Sequence, residues 1–151
     1  GRLSDYYFMN GAPIDQLKEQ IQYVTSIAKQ HSRSIKFAVN AFVIARETSK
    51  QAHEEYDYII DRADDTAINQ FQNRKETKGM WKNASSISDF VANNEGFRTG
   101  LIGSYEEIAQ KIQQLQEIGI DKILLTFRKP LEELPVFYQK VVSHEQLLSA
   151  N

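Results

Sequence analysis

The chain carries one long apolar run, Ile35-Lys-Phe-Ala-Val-Asn-Ala-Phe-Val-Ile-Ala-Arg-Glu-Thr48. This run is too apolar for a strand with one face in water, and a helix start follows it directly. A strand that is buried on both faces and continues at once into a helix is typical of parallel α/β sheets. The run therefore predicts a strand over residues 35–45 within a parallel sheet.

The alternation of side chains gives the two faces of this strand different surroundings, because successive side chains point to opposite faces. The odd positions from Ile35 to Ala45 are all apolar, so we expect this face to lie under a layer of helices. The even positions include Lys36, Asn40 and Arg46, so we expect the even face to line a space that accepts polar groups. In a (β/α) barrel, such a face lines the interior and the rim, where active sites lie.

Patterns on both sides of the run extend the parallel arrangement. An aromatic strand at 5–10 is stopped by Gly11 and Pro13, and helical spacing then continues to about His31. Pro13 suits the first position of that helix, since its missing N–H would be unpaired there anyway. Together with the run at 35–45, these segments predict a β–α–β unit.

Two capping boxes mark further helix starts, because a Ser or Thr side chain can cap a helix while Glu or Gln three residues later reaches back. The first box, at 48–51, starts a helix that we expect to end around 63–65. The second, at 104–107, starts a helix that stops at Gly119. A strand at 120–127 and a helix from Pro130 follow, so the predicted order is β-α-β-α-insertion-α-β-α.

Residues 66–100 show weak periodicity, with helix expected near 66–73 and 86–92. A long connection inside a compact domain is usually a functional lid or a disordered insertion. This one follows the carboxyl end of a parallel strand, where ligand-binding loops belong. We therefore predict a lid or insertion over 66–100.

Composition restricts the function classes. The chain has 151 residues, is 41% hydrophobic and 25% charged, and has a formal net charge of −2. These values suit a soluble globular domain and give no reason to expect nucleic acid. The absence of cysteine excludes disulfides and thiolate chemistry and fits a cytoplasmic location. No apolar run is long enough to span a membrane, and the three histidines do not cluster, so no metal site is predicted.

Three parallel strands cannot close a barrel, since a closed barrel takes eight strands and about 250 residues. An open three-stranded sheet also leaves two apolar edges, which proteins normally cover. The chain begins at Gly1 rather than Met. We therefore expect residues 1–151 to be the carboxyl-terminal portion of one larger α/β domain, a TIM (β/α)8 barrel, with its edges paired, and we expect a homo-oligomer.

The order of these segments resembles the end of the bacterial-luciferase-like flavin monooxygenases, with the alkanesulfonate and dimethylsulfone monooxygenases most similar. The likeness covers nearly the whole chain and rests on the order and spacing of four segments, at 5–11, 36–48, 94–104 and 119–127. No single motif among them is a strict signature.

This resemblance implies a TIM barrel that uses reduced FMN and molecular oxygen to oxidise a small organosulfur compound, such as a sulfone or an alkanesulfonate. It implies that a separate NAD(P)H-dependent flavin reductase supplies the reduced FMN. The three strands would be the sixth, seventh and eighth of the barrel, and the insertion would be the family's mobile lid. The segment that binds the FMN phosphate would precede Gly1, so we expect the chain by itself to be inactive.

One departure from the family bears on the substrate. In alkanesulfonate monooxygenases the seventh strand carries an Arg and a His on its pocket face, and the matching positions here are Asn40 and Phe42. A neutral amide and an apolar ring suit a neutral sulfone better than an anionic sulfonate.

The candidate site residues fall into two groups. The predicted catalytic residues are Asn40 and Arg128, and the predicted substrate-binding residues are Met9, Asn10, Phe42 and Arg98.

Each candidate also has a structural explanation. Asn40 could be a buried amide that bonds to neighbouring strands, and Phe42 could fill the barrel. Arg128 could pair with Glu132 on the surface, and Arg98 could be a solvated loop residue. Met9 and Asn10 could simply form a turn.

The glycines and serine at 100–104 could bind a phosphate at a helix N-terminus. Glu106 and Glu107 in the first turn would repel an anion, so plain capping is the favoured interpretation. Two further functions stay open: a deazaflavin-dependent oxidoreductase on the same barrel, and a non-catalytic α/β interaction module that pairs through its sheet edge and insertion.

Overall fold

The computed structural model describes residues 4–62, 91–92 and 96–143. Strands and helices alternate along this part of the chain. In order they are β1 (Tyr6–Met9), α1 (Ile14–Gln30), β2 (Lys36–Phe42), β3 (Ile44–Arg46), α2 (Ser49–Asp61), a 3-10 turn (Phe97–Thr99), β4 (Ile102–Ser104), α3 (Tyr105–Glu117), β5 (Lys122–Thr126), α4 (Pro130–Phe137) and a π-helical turn (Tyr138–Val142).

The main sheet is parallel, with strand order β1-β2-β5 and β2 in the centre. Met9 lies beside Val39, and Asn40 lies beside Leu124 in the register. The parallel α/β class predicted from the apolar run is thereby confirmed. The carboxyl ends of all three strands lie at one edge, where parallel sheets place their ligands.

The predicted continuous strand at 35–45 is wrong in one respect, because it breaks at Val43. The N–H of Val43 still donates to Thr126 O of β5 at 2.9 Å, whereas the N–H of Ile44 donates to Leu101 O at 2.9 Å. From Ile44 onward the chain pairs with β4 in a second, two-stranded parallel sheet. The order expected from the sequence lacked both β3 and β4, since the apolar run continues through the change of partner.

The helix boundaries follow the local signals. Helix α1 occupies Ile14–Gln30, as the spacing after Pro13 predicted. Both capping boxes form: Thr48 with Gln51 at α2, and Ser104 with Glu107 at α3. Gly119 follows α3 with a φ of +100°, a left-handed conformation that suits glycine. Helix α2 ends at Asp61 with Arg62 as its C-cap, two residues before the expected end at 63–65.

The core lies between the odd face of the main sheet and the helices. Val39 and Ala41 of β2 are fully buried there, packed with side chains such as Leu17, Leu115 and Phe137 from three helices. The helix layer predicted for the odd face is thus confirmed. A smaller cluster, formed by Phe42, Ile44, Ala52 and Phe97, packs α2 and the 3-10 turn against the end of the sheet.

The even face of the main sheet is open. Phe8 of β1 is 53% exposed and Leu124 of β5 is 59% exposed, although both stand in the middle of strands. Within the described residues, β1 and β5 each pair with β2 alone. Large apolar side chains are also exposed on the outer flanks, at Tyr23 and Ile27 of α1 and at Leu131 of α4.

The predicted insertion at 66–100 falls mostly outside the described residues, which include 91–92 and 96–100 of it. The expected helix at 66–73 lies outside them, and of the one at 86–92 the last two residues are helical. None of the described helices is both long and apolar enough to cross a membrane.

Candidate functional site

Four residues meet where the main strands end, and we call them the strand-end junction: Gly11, Asn40, Gly96 and Thr99. The Oδ1 of Asn40 accepts the N–H of Gly11 at 2.6 Å. The hydroxyl of Thr99 donates to the carbonyl oxygen of Asn40, also at 2.6 Å. The N–H of Phe42 donates to Gly96 O at 3.3 Å. Asn40 therefore joins the turn after β1, the end of β2 and the turn at 96–99.

The junction is closely packed around Gly11. A Cβ at this position would lie 2.4 Å from Thr99 Oγ1 and 3.2 Å from the carbonyl oxygens of Asn40 and Gly96. Thr99 is 1% exposed, so its hydroxyl needs the partner it has in the Asn40 carbonyl. Gly96 has a φ of +82°, which few other residues adopt, and a Cβ there would lie 3.0 Å from Asn40 Nδ2.

Phe42 supports the same turn from the other side. Its ring lies 4.5 Å from the ring of Phe97, which in turn meets Tyr56 of α2 edge-on at 5.1 Å. Phe42 is 9% exposed and belongs to the smaller core cluster. This packing matches the barrel-filling explanation, and a contact between Phe42 and a substrate stays a prediction.

The other predicted substrate-binding residues lie in different surroundings. The side chain of Met9 is 1% exposed and belongs to the main core on the helix side of the sheet. Asn10 is exposed at the end of β1, next to Gly11, and Arg98 is exposed on the 3-10 turn. Asn10, Asn40 and Arg98 are thus the candidates that stand at or beside the strand ends with polar groups.

Arg128 belongs to a cluster between α2 and α4 that we call the arginine–glutamate cluster: Arg46, Glu55, Arg128 and Glu133. Nε of Arg46 donates to Glu55 Oε2 at 2.8 Å, and its Nη2 donates to Glu133 Oε1 at 2.7 Å. Nη1 of Arg128 lies 3.7 Å from Glu55 Oε1. The carboxylate partner of Arg128 is therefore Glu55, whereas the expected partner, Glu132, pairs with Lys129 at 3.3 Å.

The charges of this cluster largely neutralise one another. Burial by itself lowers the pKa of Arg46, but the hydrogen bonds that it donates to Glu133 and Glu55 and the charges of both carboxylates outweigh this effect, so the pKa is raised. Arg46 is thus a permanent cation held between two carboxylates. Its charge offers little attraction to an anionic ligand, because both carboxylates are already in contact with it.

Sequence reasoning singled out Asn40 and missed Thr99 and the arginine–glutamate cluster. Thr99 lies in a stretch without periodicity, and Glu55 and Glu133 are ordinary helix residues until the fold brings them to Arg46. In the described part of the chain, no group of three or more His, Asp or Glu side chains is placed to hold a metal ion.

Comparison with known proteins shows the family to which the chain belongs. The model of the family described as luciferase-like monooxygenase matches residues 1–122. The chain belongs to the luciferase-like monooxygenase family. Two curated relatives of this luciferase-like chain are the FMNH2-dependent dimethylsulfone monooxygenases of Pseudomonas fluorescens (strain Pf0-1), 38% identical, and of Pseudomonas putida, 37% identical. Each match covers 93% of this chain and 41% of the relative, so the chain spans about two fifths of their length.

Solved structures show the same fold at lower identity. The luciferase-like chain superposes on a riboflavin lyase, solved with modified FMN and its substrate riboflavin, with a TM-score of 0.69 at 20% identity. That match covers 96% of this chain and 39% of the lyase. The chain also superposes on the coenzyme F420-dependent tetrahydromethanopterin reductase of Methanopyrus kandleri, with a TM-score of 0.57 at 14% identity. This second match covers 94% of the chain and 46% of the reductase.

Proposed function

We propose that this chain is part of a reduced-FMN-dependent monooxygenase that oxidises a small, neutral organosulfur compound such as a sulfone. The observation that carries the proposal is the 38% identity to an FMNH2-dependent dimethylsulfone monooxygenase over 93% of the chain. Membership of the luciferase-like family supports the same reaction class. A deazaflavin enzyme is the weaker alternative, because the F420-dependent reductase is 14% identical and shares the fold alone.

Within that enzyme, the chain would form the sixth to eighth strands of a TIM barrel, with residues 1–151 as its carboxyl-terminal portion and 66–100 as the lid. The parallel β1-β2-β5 sheet with its open even face supports this arrangement. The helices cover the opposite face, as they do around the outside of such a barrel. The rest of the barrel would then cover Phe8 and Leu124.

The substrate site would lie at the strand-end junction, with Asn40 as the polar contact and Phe42 as part of the wall. A neutral amide at the pocket face suits a neutral sulfone, and the positive charge of Arg46 is already neutralised by Glu55 and Glu133. Asn10, Arg98 and Arg128 stay secondary candidates for contacts with substrate or flavin.

Reduced FMN would fit here only in part. The Asn40 amide at the strand-end junction offers a hydrogen-bonding group to a flavin ring or an organic substrate. The cluster arginines already contact carboxylates and are therefore poor phosphate ligands. The bound flavin supplies the oxygen chemistry, and the protein's part is to hold the substrate and exclude water.

The proposed partners follow from this chemistry. Molecular oxygen and the organosulfur compound are the co-substrates, and an NAD(P)H-dependent reductase supplies the reduced flavin. A homo-oligomer is also proposed.

The test uses the full-length protein with reduced FMN, oxygen and a panel of sulfones, sulfonates and thioethers. We expect product formation that depends on a sulfone. Turnover with a reduced deazaflavin instead of FMN would favour the alternative cofactor. No substrate-dependent product with either flavin would overturn the enzymatic proposal and favour an interaction module.

A further inference from the structure

The side-chain amide of Asn40 has one orientation that satisfies its neighbour. A backbone N–H can only donate, so the group that faces Gly11 at 2.6 Å must be the amide oxygen and not the NH2. The Gly11 N–H thus determines which end of the Asn40 amide is the oxygen and which is the nitrogen. The NH2 group, Nδ2, is left on the other side of the amide.

The surroundings hold Asn40 in this orientation. The Thr99 hydroxyl donates to the backbone carbonyl of Asn40, and the space beside Gly11 is filled, since a Cβ there would lie within 3.2 Å of three atoms. Gly96 leaves room beside Nδ2, since a Cβ there would come within 3.0 Å of it. Among the described residues, Nδ2 makes no hydrogen bond. Asn40 is half-buried and lies in register with exposed Leu124, so it stands on the open even face of the sheet.

We infer that the strand-end junction fixes Asn40 as a hydrogen-bond donor toward the site, and that this selects a substrate that presents a hydrogen-bond acceptor to it. The inference rests on the proposed function and narrows its substrate class. The two oxygens of a sulfone accept and donate nothing, so they match Nδ2, whereas a thioether lacks such an acceptor. Gly11 and Thr99 act as positioning residues, because they set the direction in which Asn40 donates.

The test is Asn40→Asp in the full-length enzyme, which keeps an oxygen for Gly11 and replaces the donor with a second acceptor. We expect the preference for a sulfone over the matched thioether, measured as the ratio of kcat/KM values, to fall about tenfold, as the loss of one hydrogen bond predicts. The loss should appear mainly in KM. Gln113→Glu places the same charge on an exposed face of α3 and should keep the wild-type ratio.

The positioning role has its own variants. Thr99→Val removes the hydroxyl that donates to the Asn40 carbonyl and should lower the sulfone preference severalfold. Thr99→Ser keeps the hydroxyl and should keep the wild-type preference. An unchanged ratio in both Asn40→Asp and Thr99→Val would overturn the inference.

Hydrogen exchange separates failure of this inference from failure of the proposed function. The Gly11 amide should be protected in the wild type and in Asn40→Asp but exchange faster in Asn40→Ala. Equal exchange in all three would overturn the fixed orientation. A wild type that turns over no organosulfur compound would overturn the proposed function and the substrate class together, while the exchange pattern would still establish the orientation of the amide.

Discussion

The lack of a side chain at Gly11 allows three segments to pack closely at the strand-end junction. A methyl group there would meet Thr99 Oγ1 at 2.4 Å, and two carbonyl oxygens lie 3.2 Å away. Neither the buried hydroxyl nor the backbone can move far without breaking the bonds to Asn40. The close approach of three segments therefore depends on glycine at this position.

Gly11→Ala should lower the free energy of unfolding of the full-length protein by about 1–3 kcal/mol, the usual cost of overpacking a filled site. Chemical denaturation measures it. In the Thr99→Ala background the closest clashing atom is gone, so the same substitution should cost less. An equal loss of stability in the two backgrounds would show that the Thr99 side chain is not what clashes with the added methyl group.

At the scale of elements, the arginine–glutamate cluster links α2 to α4 through the end of β3. Arg46→Met would leave Glu55 and Glu133 near each other without their shared cation. We expect a loss of about 1–3 kcal/mol at pH 7, because partly buried carboxylates lose their partner. Denaturant unfolding of the full-length protein checks this value.

The loss in Arg46→Met should shrink at lower pH. Acid removes the uncompensated negative charge that the variant leaves between α2 and α4, so the stability lost at neutral pH is regained as the pH falls. Lys50→Met is the control, since the pair that Lys50 forms with Glu54 at 3.7 Å is largely exposed and should be worth little. A loss that does not depend on pH would contradict the electrostatic explanation.

The capping box of α3 makes a second pH-dependent prediction. The N–H of Ser104 holds the pKa of the Glu107 carboxyl below its usual 4.5, with a smaller contribution from the Ser49 hydroxyl. The stabilisation is therefore present above that usual value and is lost as the pH falls through the lowered one. The wild type should melt at a higher temperature than Glu107→Gln at pH 7, and this difference should shrink as the pH falls below about 4.5. Glu106→Gln, in the same first turn but outside the box, should show a smaller gap.

Local elements could be predicted from the sequence because their causes are local. The two capping boxes, the stop at Gly119 and the alternation along β2 each depend on residues within a few positions of one another. The break at Val43 could not be predicted, because the chain there stops pairing with β5 and begins to pair with β4. Strand β4 lies nearly sixty residues after β3 in the sequence. The partners of Asn40 and Arg128 are also distant in the sequence, and so the roles of these two residues could be proposed only in outline.

At the scale of the whole molecule, the proposal that a larger barrel covers the open even face can be tested. If it does, Leu124→Lys in the full-length protein would place an unpaired charge in the interior of that barrel, and it should cost at least about 3 kcal/mol. Thermal unfolding measures this effect. Gln113→Lys adds the same charge to the outside of α3 and should leave the melting temperature almost unchanged. A tolerated Leu124→Lys would contradict a covered even face.

The pairing of β3 with β4 has a consequence for how this molecule can change over evolutionary time. Ala45 and Gly103 are paired in the β3–β4 ladder, so the two ends of the segment that connects these strands are held next to each other. Once the ends are fastened, each doubling of the intervening length costs only about 0.6 kcal/mol in closure entropy. Insertions and deletions between the two strands can therefore accumulate while the strand ends stay where they are.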